Sequence, residues 1–241
     1  MPVEIRKLTN HAEYAAAVHL QRMVWGWEDL DLLPLRFFVV AKNVGGQVLG
    51  AFSGDFMFGF LLAIPGVNED GSVYLHSHML GVLPEYRDSG AGYALKMAQR
   101  EDALARGIHL IEWTFDPLDL KNAYFNLTRL GARVRHYVPN LYGTTTSRLH
   151  GGLPTDRCVA EWNVRAGSFP VETHGARGAP VIEARIPIPA DIQHTRRIAP
   201  EQAREIQTRV GNQFQELLAG GLVVVGFERS SEHGTYLFGR P

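Results

Sequence analysis

The chain has 241 residues, of which 45% are hydrophobic, and its formal net charge is -1. This length and composition suit one large domain, or one domain with a smaller extension. Lysine and arginine are spread along the sequence and form no basic patch or stripe, so we expect no nucleic-acid partner. Cys158 is the only cysteine, which excludes an internal disulfide and a multi-cysteine metal site; its apolar neighbours predict a buried thiol.

The N-terminal residues give no indication of export. Residues 1–7 alternate like a strand and lack a charged region followed by a long apolar stretch, so no secretory signal is expected. The most apolar stretch, residues 56–65, is far shorter than the roughly 20 residues that a membrane-spanning helix needs. We therefore expect a cytoplasmic protein without a membrane partner.

Strands and helices alternate along the first two thirds of the chain. Glycines at 45–46 and the Gly54-Asp55 pair favour an antiparallel hairpin, and Pro65-Gly66 is expected to end its second strand. The succession of residues 72–83, 90–106 and 108–115 predicts a strand–helix–strand unit, and so a parallel strand pair with a right-handed crossover. The predicted strands are residues 3–8, 47–55, 57–63, 72–83, 108–115, 134–138 and 157–164, and the predicted helices are 10–25, 35–42, 90–106 and 119–130.

The composition changes at Arg165, and residues 166–179 are rich in Gly, Pro and polar groups, which is typical of a linker. Beyond it we predict a β-α-β-β extension. About 60 residues is marginal for an independent core, so we expect the extension to dock on the first domain or on a second subunit, the latter forming a homodimer. The predicted organisation is a domain of residues 1–164, a linker of residues 165–180 and an extension of residues 181–241.

The segment most informative about chemistry runs from Tyr74 to Gly107. A strand leads through Pro84 into a helix whose first turn contains Gly90 and Gly92. Backbone N–H groups at a helix start are unpaired and the helix dipole adds positive charge there, so this geometry suits a phosphate or pyrophosphate. The P-loop and dinucleotide-binding patterns do not match the spacing, and a simple turn remains the alternative interpretation.

Arg87-Asp88-Ser89-Gly90-Ala91-Gly92 resembles the Gln/Arg-x-x-Gly-x-Gly/Ala pyrophosphate loop of the GNAT acyltransferase superfamily. The preceding Leu80-x-Val82-x-Pro84-x-Tyr86-Arg87 resembles the family's approach to that loop. The resemblance covers residues 3–164 in the order of elements and is specific over 74–131. It implies an α/β (α+β) fold with a mixed, mostly antiparallel sheet, a central splayed parallel strand pair and flanking helices.

The same resemblance implies a cofactor and its binding residues. Acetyl-CoA, or another acyl-CoA, would be the co-substrate, and no metal would be needed. The loop of residues 87–92 would bind the pyrophosphate. The backbone of Leu80 and Val82, on a strand that splays from its neighbour, would bind the pantetheine arm.

His76 and His78 lie two residues apart on one strand, so their side chains share a face. A neutral imidazole is suited to the role of general base, although two buried structural histidines are the simpler interpretation of the residues alone. The resemblance favours the base, because many GNAT enzymes place a glutamate where His76 stands. The arylalkylamine N-acetyltransferases have His-x-His there as a proton relay. The pair could also bind a metal, but no third ligand is evident.

The general acid is a second expectation from the resemblance. The family's usual tyrosine position is occupied by Leu127. Tyr124, three residues earlier on nearly the same helical face, is the predicted catalytic acid, and Tyr142 is an alternative. Transfer without a side-chain acid also remains open, because a thiolate is a tolerable leaving group.

The acceptor pocket is predicted by analogy to include Trp27, Glu112 and Tyr142. Arg148 and Arg157 could bind a carboxylate, which would suit an amino-acid acceptor, although solvated surface charges are the ordinary interpretation. The predicted activity is transfer of an acyl group to the primary amine of a small molecule such as an amino acid or amine. Three alternatives stay open: an N-succinyltransferase that uses succinyl-CoA, a non-catalytic CoA-binding or regulatory module, and a protein acetyltransferase.

Overall fold

The computed structural model describes residues 3–143, 152–165 and 180–241, so the predicted carboxylate-binding Arg148 lies outside the described residues. The chain forms two compact units, one that ends at Glu112 and one that begins at Trp113. The boundary falls within a strand. Each unit is described by itself below.

The first unit is built on the strand order β1-β2-β3-β4-β5. Its neighbouring strands are antiparallel, except that β4 and β5 are parallel. The strands are β1 (Glu4–Lys7), β2 (Gln47–Ser53), β3 (Phe56–Val67), β4 (Val73–Val82) and β5 (Leu110–Phe115), and the helices are α1 (His11–Trp25), α2 (Leu35–Asn43) and α3 (Ala91–Ala105).

The residues that flank helix α1 in the sequence determine where it begins and ends. The Asn10 side chain accepts a hydrogen bond of 3.0 Å from the Glu13 backbone N–H, which satisfies one of the unpaired donors of the first turn. Gly26 ends the helix with a φ of 65°, a left-handed conformation that glycine adopts without a steric penalty. These signals explain why the predicted bounds of this helix agree with the structure.

Strand β3 runs through Pro65 and Gly66, so the predicted end of the strand at this point is wrong. Pro65 pairs with Leu75 of β4. The other neighbour, β2, starts at Gln47 opposite Ala63, so beyond Ala63 the strand has a ladder on one side only. A proline is tolerated at such an edge because no ladder hydrogen bond needs its missing N–H.

The core of the first unit lies around β3. Its central residues are buried on both faces, and they pack with the α2 ring of Phe38. Burying each large side chain contributes roughly 1.5–3 kcal/mol, so this strand supplies much of the unit's stability. The fully buried residues of β3 are Phe58, Phe60, Leu61, Leu62 and Ala63.

The second unit contains the end of β5 and further strands in the order β7-β6-β9-β10-β8. The pairs β6–β7, β9–β10 and β10–β8 are antiparallel. Helix α4 (Leu120–Tyr124) passes directly into a π-helical turn (Phe125–Arg129). The remaining elements are β6 (Arg133–Val138), β7 (Arg157–Asn163), β8 (Ala184–Pro189), α5 (Ile192–Ile198), α6 (Pro200–Ala219), β9 (Val223–Arg229) and β10 (His233–Gly239).

The C-terminal segment follows the predicted β-α-β-β order with one additional helix, α5. This helix has seven residues and buries Ile192, Thr195 and Arg196, so it has no apolar stripe to reveal it in the sequence. The segment is tied to the residues after β5: the Tyr236 hydroxyl donates to the Pro117 carbonyl at 2.7 Å. The predicted division into a domain of residues 1–164 and an extension of residues 181–241 stays a prediction.

The elements confirm the predicted fold class. The sheet pairs are mostly antiparallel, the parallel pair is β4–β5, and helices flank the strands. Cys158 is fully buried, as expected. Among the described residues, no helix combines the length and the apolar character needed to cross a membrane.

Candidate functional site

Strand β4 has a β-bulge at His78. Ser77 pairs with Ala63 and Met79 pairs with Leu62, so His78 is an extra residue that has no paired residue in β3. The rings of His76 and His78 lie with their centroids 5.9 Å apart. The structure therefore brings the two predicted histidines together, at a local break in the strand's pairing.

The ladder between β4 and β5 is short. It joins Leu75 to Ile111 and His76 to Glu112, whereas β4 continues to Val82. Within the described residues, the backbone groups of residues 78–82 that face away from β3 thus have no partner strand. Backbone N–H and C=O groups need partners, so this edge, which includes the half-buried Leu80, is suited to hydrogen-bond an extended ligand.

The loop after β4 is held in a fixed conformation. The Leu83 N–H donates to the Phe58 carbonyl at 2.8 Å, and the Tyr86 ring stacks on the Phe58 ring with a centroid distance of 4.4 Å. Asp88 and Gly90 then take positive φ angles of 64° and 85°. The left-handed conformations turn the chain sharply into the start of α3.

The start of α3 is open. Among the residues that the structure describes, no side chain caps the helix after Gly90, and the Ser89 hydroxyl accepts only a long hydrogen bond of 3.4 Å from the Ala91 N–H. Within the described part of the chain, a Cβ added at Gly90 would meet nothing within 4 Å, and one at Gly92 would meet only the Leu80 side chain at 4.0 Å. The uncapped, positive helix end therefore borders free space next to the unpaired edge of β4, and these residues fit the pyrophosphate and pantetheine of an acyl-CoA.

The side chains of this loop differ in what they can contribute. The residues of the pyrophosphate-loop pattern before the helix are exposed, whereas the Ala91 side chain is buried, so only its backbone faces the ligand space. The exposed residues are Arg87, Asp88, Ser89 and Gly90.

The environment of the histidines favours their neutral forms. Desolvation lowers the pKa of His76, and the nearby charges of His78 and Lys96 lower it further. Desolvation also lowers the pKa of His78. The His78 side chain is nevertheless exposed, so water screens it more, and His76 is the better candidate for the base. A neutral imidazole at neutral pH can accept a proton from an incoming ammonium group.

The predicted acceptor-pocket residues of the first unit are Trp27 and Glu112. Trp27 stacks on Trp25 with centroids 4.8 Å apart and planes 18° apart. Glu112 is opposite His76 in the parallel ladder, and its side chain is half-buried. Both are in the same unit as the histidines.

The predicted acid and the other acceptor residues belong to the second unit. Tyr124 is half-buried, with the Arg229 guanidinium 5.5 Å from its ring centre. The hydroxyls of Tyr142 and Thr114 are 2.9 Å apart, and the Arg157 guanidinium lies 5.3 Å from the Tyr142 ring centre. The structure thus brings Arg157 and Tyr142 together.

Leu127, at the family's tyrosine position, is fully buried in the π-helical turn. Asp116, just after β5, accepts from the Leu118 N–H at 2.8 Å and forms an ion pair of 2.8 Å with Arg196. Asp116 therefore has structural partners in its own unit.

Lys96 was not predicted to be part of the site. It is a buried lysine of α3, in the same stripe as Leu95, Gln99 and Ala103. A lysine within the apolar stripe of an amphipathic helix was the only sequence feature that pointed to it. As for metals, no group of three or more His, Cys, Asp or Glu side chains that could hold an ion occurs among the residues that the structure describes.

No protein-family model and no curated protein matches this sequence. Solved structures do match it. The ribosomal-protein-S18-alanine N-acetyltransferase from Escherichia coli is 17% identical, with 68% of this chain and 94% of that chain covered and a TM-score of 0.53. Aminoglycoside 6'-acetyltransferase type Ii is 20% identical, with 67% and 97% covered and a TM-score of 0.53.

A GNAT family acetyltransferase from Elizabethkingia anophelis, with acetyl-CoA bound, is 14% identical. It covers 67% of this chain and 97% of its own, with a TM-score of 0.51. At such identities the similarity establishes the fold.

Proposed function

Because this chain has the fold of the GNAT acetyltransferases, we propose that it is an acyl-CoA-dependent N-acyltransferase that uses acetyl-CoA as its donor. The observation that carries the proposal is that two surfaces suited to bind a ligand lie next to each other. The unpaired edge of β4 leads directly to the uncapped start of α3, where Leu80 and Gly92 are neighbours. A ligand with an extended amide-containing arm and a pyrophosphate matches both surfaces.

In this proposal the first unit binds the donor. The α3 start and the loop of residues 87–92 hold the pyrophosphate through backbone N–H groups and the helix dipole. The β4 backbone at Leu80 and Val82 hydrogen-bonds the pantetheine amides. The bound thioester supplies an activated acyl group, and N–H groups of the same strand edge polarise its carbonyl.

His76 acts as the base of the transfer. Its neutral imidazole accepts a proton from the acceptor's ammonium group, and the free amine attacks the thioester carbonyl. A C–N bond forms and the C–S bond breaks. The leaving CoA thiolate takes a proton, for which Tyr124 is the proposed donor, and His78 passes the proton from His76 towards solvent.

The proposed acceptor is a small molecule with a primary amine, such as an amino acid or amine. The named relatives with this fold include enzymes for a ribosomal protein and for aminoglycosides, so the fold does not select the class. Trp27, Glu112 and Tyr142 are the proposed acceptor residues. Arg157, whose guanidinium lies 5.3 Å from the Tyr142 ring centre, is the proposed partner for an acceptor that also has a carboxylate.

A thermal-shift series tests the donor. Acetyl-CoA, succinyl-CoA and free CoA are compared at millimolar concentration, and CoA thiol release is then measured with a panel of amino acids and amines. Binding to the folded state only stabilises by about 2.7 kcal/mol at 100 times Kd, so a donor should raise Tm by several degrees. Failure of every CoA ester to stabilise the protein would overturn the proposal. A larger shift with succinyl-CoA would replace acetyl-CoA as the donor.

One observation favours a second candidate, a non-catalytic CoA-binding module. The position of the usual tyrosine is a fully buried leucine, Leu127. Such a module would bind acetyl-CoA but release no CoA thiol with any amine. Turnover that depends on His76 rules it out.

The cytoplasmic location, the homodimer and the division at residues 165–180 are further proposals from the sequence. The mass of the full chain in solution, measured by light scattering, tests the homodimer. A mass near 26.8 kDa would contradict it, because that is the mass of one chain.

A further inference from the structure

Thr155, two residues before β7, is 1% exposed and is hydrogen-bonded to each of four successive residues that follow β6. Its backbone N–H donates to Asn140 Oδ1 at 3.1 Å, and its carbonyl accepts from the Leu141 N–H at 3.0 Å. Its hydroxyl accepts from the Tyr142 N–H at 2.9 Å and donates to the Gly143 carbonyl at 3.1 Å. A single buried residue therefore holds the backbone of the whole four-residue segment.

The neighbouring Asp156 supports the same segment. Its carboxylate accepts from the Asn140 N–H at 2.9 Å and from the Tyr137 hydroxyl at 2.6 Å. Asn140 has a positive φ of 46°, a conformation that is uncommon for a residue other than glycine. Such a conformation persists where the surrounding contacts hold it, and here Thr155 and Asp156 supply those contacts.

The Tyr142 side chain is fixed at both ends and is still 48% exposed. Thr155 holds its backbone N–H, and its hydroxyl lies 2.9 Å from the Thr114 hydroxyl of β5. The Arg157 guanidinium lies 5.3 Å from the centre of the ring. A side chain that is ordered before binding loses less conformational entropy when a ligand contacts it. The fixed, half-exposed ring is therefore suited to contact a ligand.

We propose that Thr155 is a positioning residue for the acceptor: its hydroxyl fixes the backbone of Tyr142 and so presents the Tyr142 ring to the acceptor of acyl transfer. This inference rests on the proposed function, in which Tyr142 is an acceptor residue. Without the hydroxyl, the Tyr142 N–H and the Gly143 carbonyl lose their partner, whereas the bonds of the Thr155 backbone to Asn140 and Leu141 remain. The segment keeps its path, but the acceptor then has to order the ring when it binds.

The test compares Thr155→Val, which is close in shape but has no hydroxyl, with Thr155→Ser, which keeps the hydroxyl. We expect Thr155→Val to raise KM for the acceptor about three- to tenfold, the size of effect that one or two lost hydrogen bonds give. It should change kcat and the Kd for acetyl-CoA little, and Thr155→Ser should behave like the unmodified protein. The control is Thr208→Val, which removes a hydroxyl that donates to the Arg204 carbonyl at 2.9 Å within α6 and should leave KM unchanged.

A double-mutant cycle separates a positioning role from a general loss of stability. In the Tyr142→Ala background the ring is absent, so Thr155→Val should raise KM no further. A further rise of the same size would overturn the proposal, because Thr155 would then act independently of Tyr142. An unchanged KM in a folded Thr155→Val variant would overturn it as well.

A measurement without substrate separates this proposal from the proposed function. Hydrogen exchange of the Tyr142 amide, followed by NMR, should be faster in Thr155→Val, whereas exchange of the Asn140 amide, which is bonded to Asp156, should change little. Faster exchange in a protein that releases no CoA thiol with any amine would keep the contact between Thr155 and Tyr142 and reject the function. Unchanged exchange at Tyr142 would reject the positioning role whatever the turnover. If Thr155→Val does not fold, the unmodified protein decides: a Tyr142 amide that exchanges as fast as a free peptide would reject the role, and a protected amide would support it.

Discussion

His76 of β4 lies directly opposite Glu112 of β5, and the parallel ladder ends at this pair within the described residues. Residues paired in adjacent strands point to the same face of a sheet, so the two side chains project from the same face. The proposed base therefore stands at the point where β4 loses its neighbour. A carboxylate on the same face can help to bind an incoming ammonium group.

Replacing His76 by Gln should lower kcat by at least 10²-fold, because a glutamine cannot accept the ammonium proton. The stabilisation by acetyl-CoA should persist, since the proposed donor surface consists of the α3 start and the β4 backbone. Steady-state kinetics and thermal shift measure the two effects. His19→Gln, on the exposed side of α1, is the matched control and should retain full activity.

In the unmodified protein, His76 should already be deprotonated, and so able to act as a base, at pH values somewhat below 7. The pKa of His76 is lowered, chiefly by desolvation, so the imidazole loses its proton below the ordinary histidine value of about 6.5. We expect kcat/KM to be constant around pH 7 and to fall only below that ordinary value. A rate that still rises between pH 7 and 8 would contradict this assignment of the base.

Gly90→Ala should weaken acetyl-CoA binding, and Gly71→Ala should not. The two glycines have similar positive φ angles, 85° and 80°, and a Cβ at either would meet no described residue within 4 Å. Each alanine is therefore strained by roughly 1 kcal/mol, a cost in stability that both variants share. Only Gly90 lies at the helix start, where a shifted backbone misdirects the N–H groups. If calorimetry shows that both variants change the Kd for acetyl-CoA equally, the proposed pyrophosphate site at the start of α3 is contradicted.

Arg196→Met should destabilise the second unit by up to about 3–5 kcal/mol, because it removes the cation that pairs with the largely buried Asp116 carboxylate. The two side chains are 6% and 15% exposed. The control is Arg185→Met, whose pair with Glu228 is 52% and 45% exposed and is expected to matter by less than about 1 kcal/mol. Chemical denaturation measures both variants, and equal losses would show that burial does not distinguish the pairs.

Tyr124→Phe should lower kcat about tenfold or more and change KM little if Tyr124 protonates the thiolate. Tyr142→Phe should instead raise KM for the acceptor, because Tyr142 is a proposed acceptor residue. The change removes its hydroxyl, which lies 2.9 Å from the Thr114 hydroxyl. If neither variant changes kcat, the thiolate leaves without a side-chain acid. The same kinetic series with both single variants and the double variant distinguishes these cases.

Much of the fold could be predicted because its determinants are local. Asn10 and Gly26 bound α1, the Gly54-Asp55 turn sets the β2–β3 hairpin, and the glycine spacing marks the loop before α3. The prediction at Pro65 was wrong because the partner strand that would have excluded a proline begins only at Gln47, opposite Ala63. Helix α5 was missed because two of its three buried residues are polar.

The sequence alone therefore determined the order of elements, the glycine-containing loop from Arg87 to Gly92 and the spacing of His76 and His78. These follow from backbone preferences and side-chain periodicity over a few neighbouring residues. Only the tertiary structure decided that β4 bulges at His78, that its ladder with β5 stops at His76 and Glu112, and that Lys96 is buried against Ser77. Strand register, ladder length and desolvation depend on residues far apart in the chain, so no local pattern encodes them.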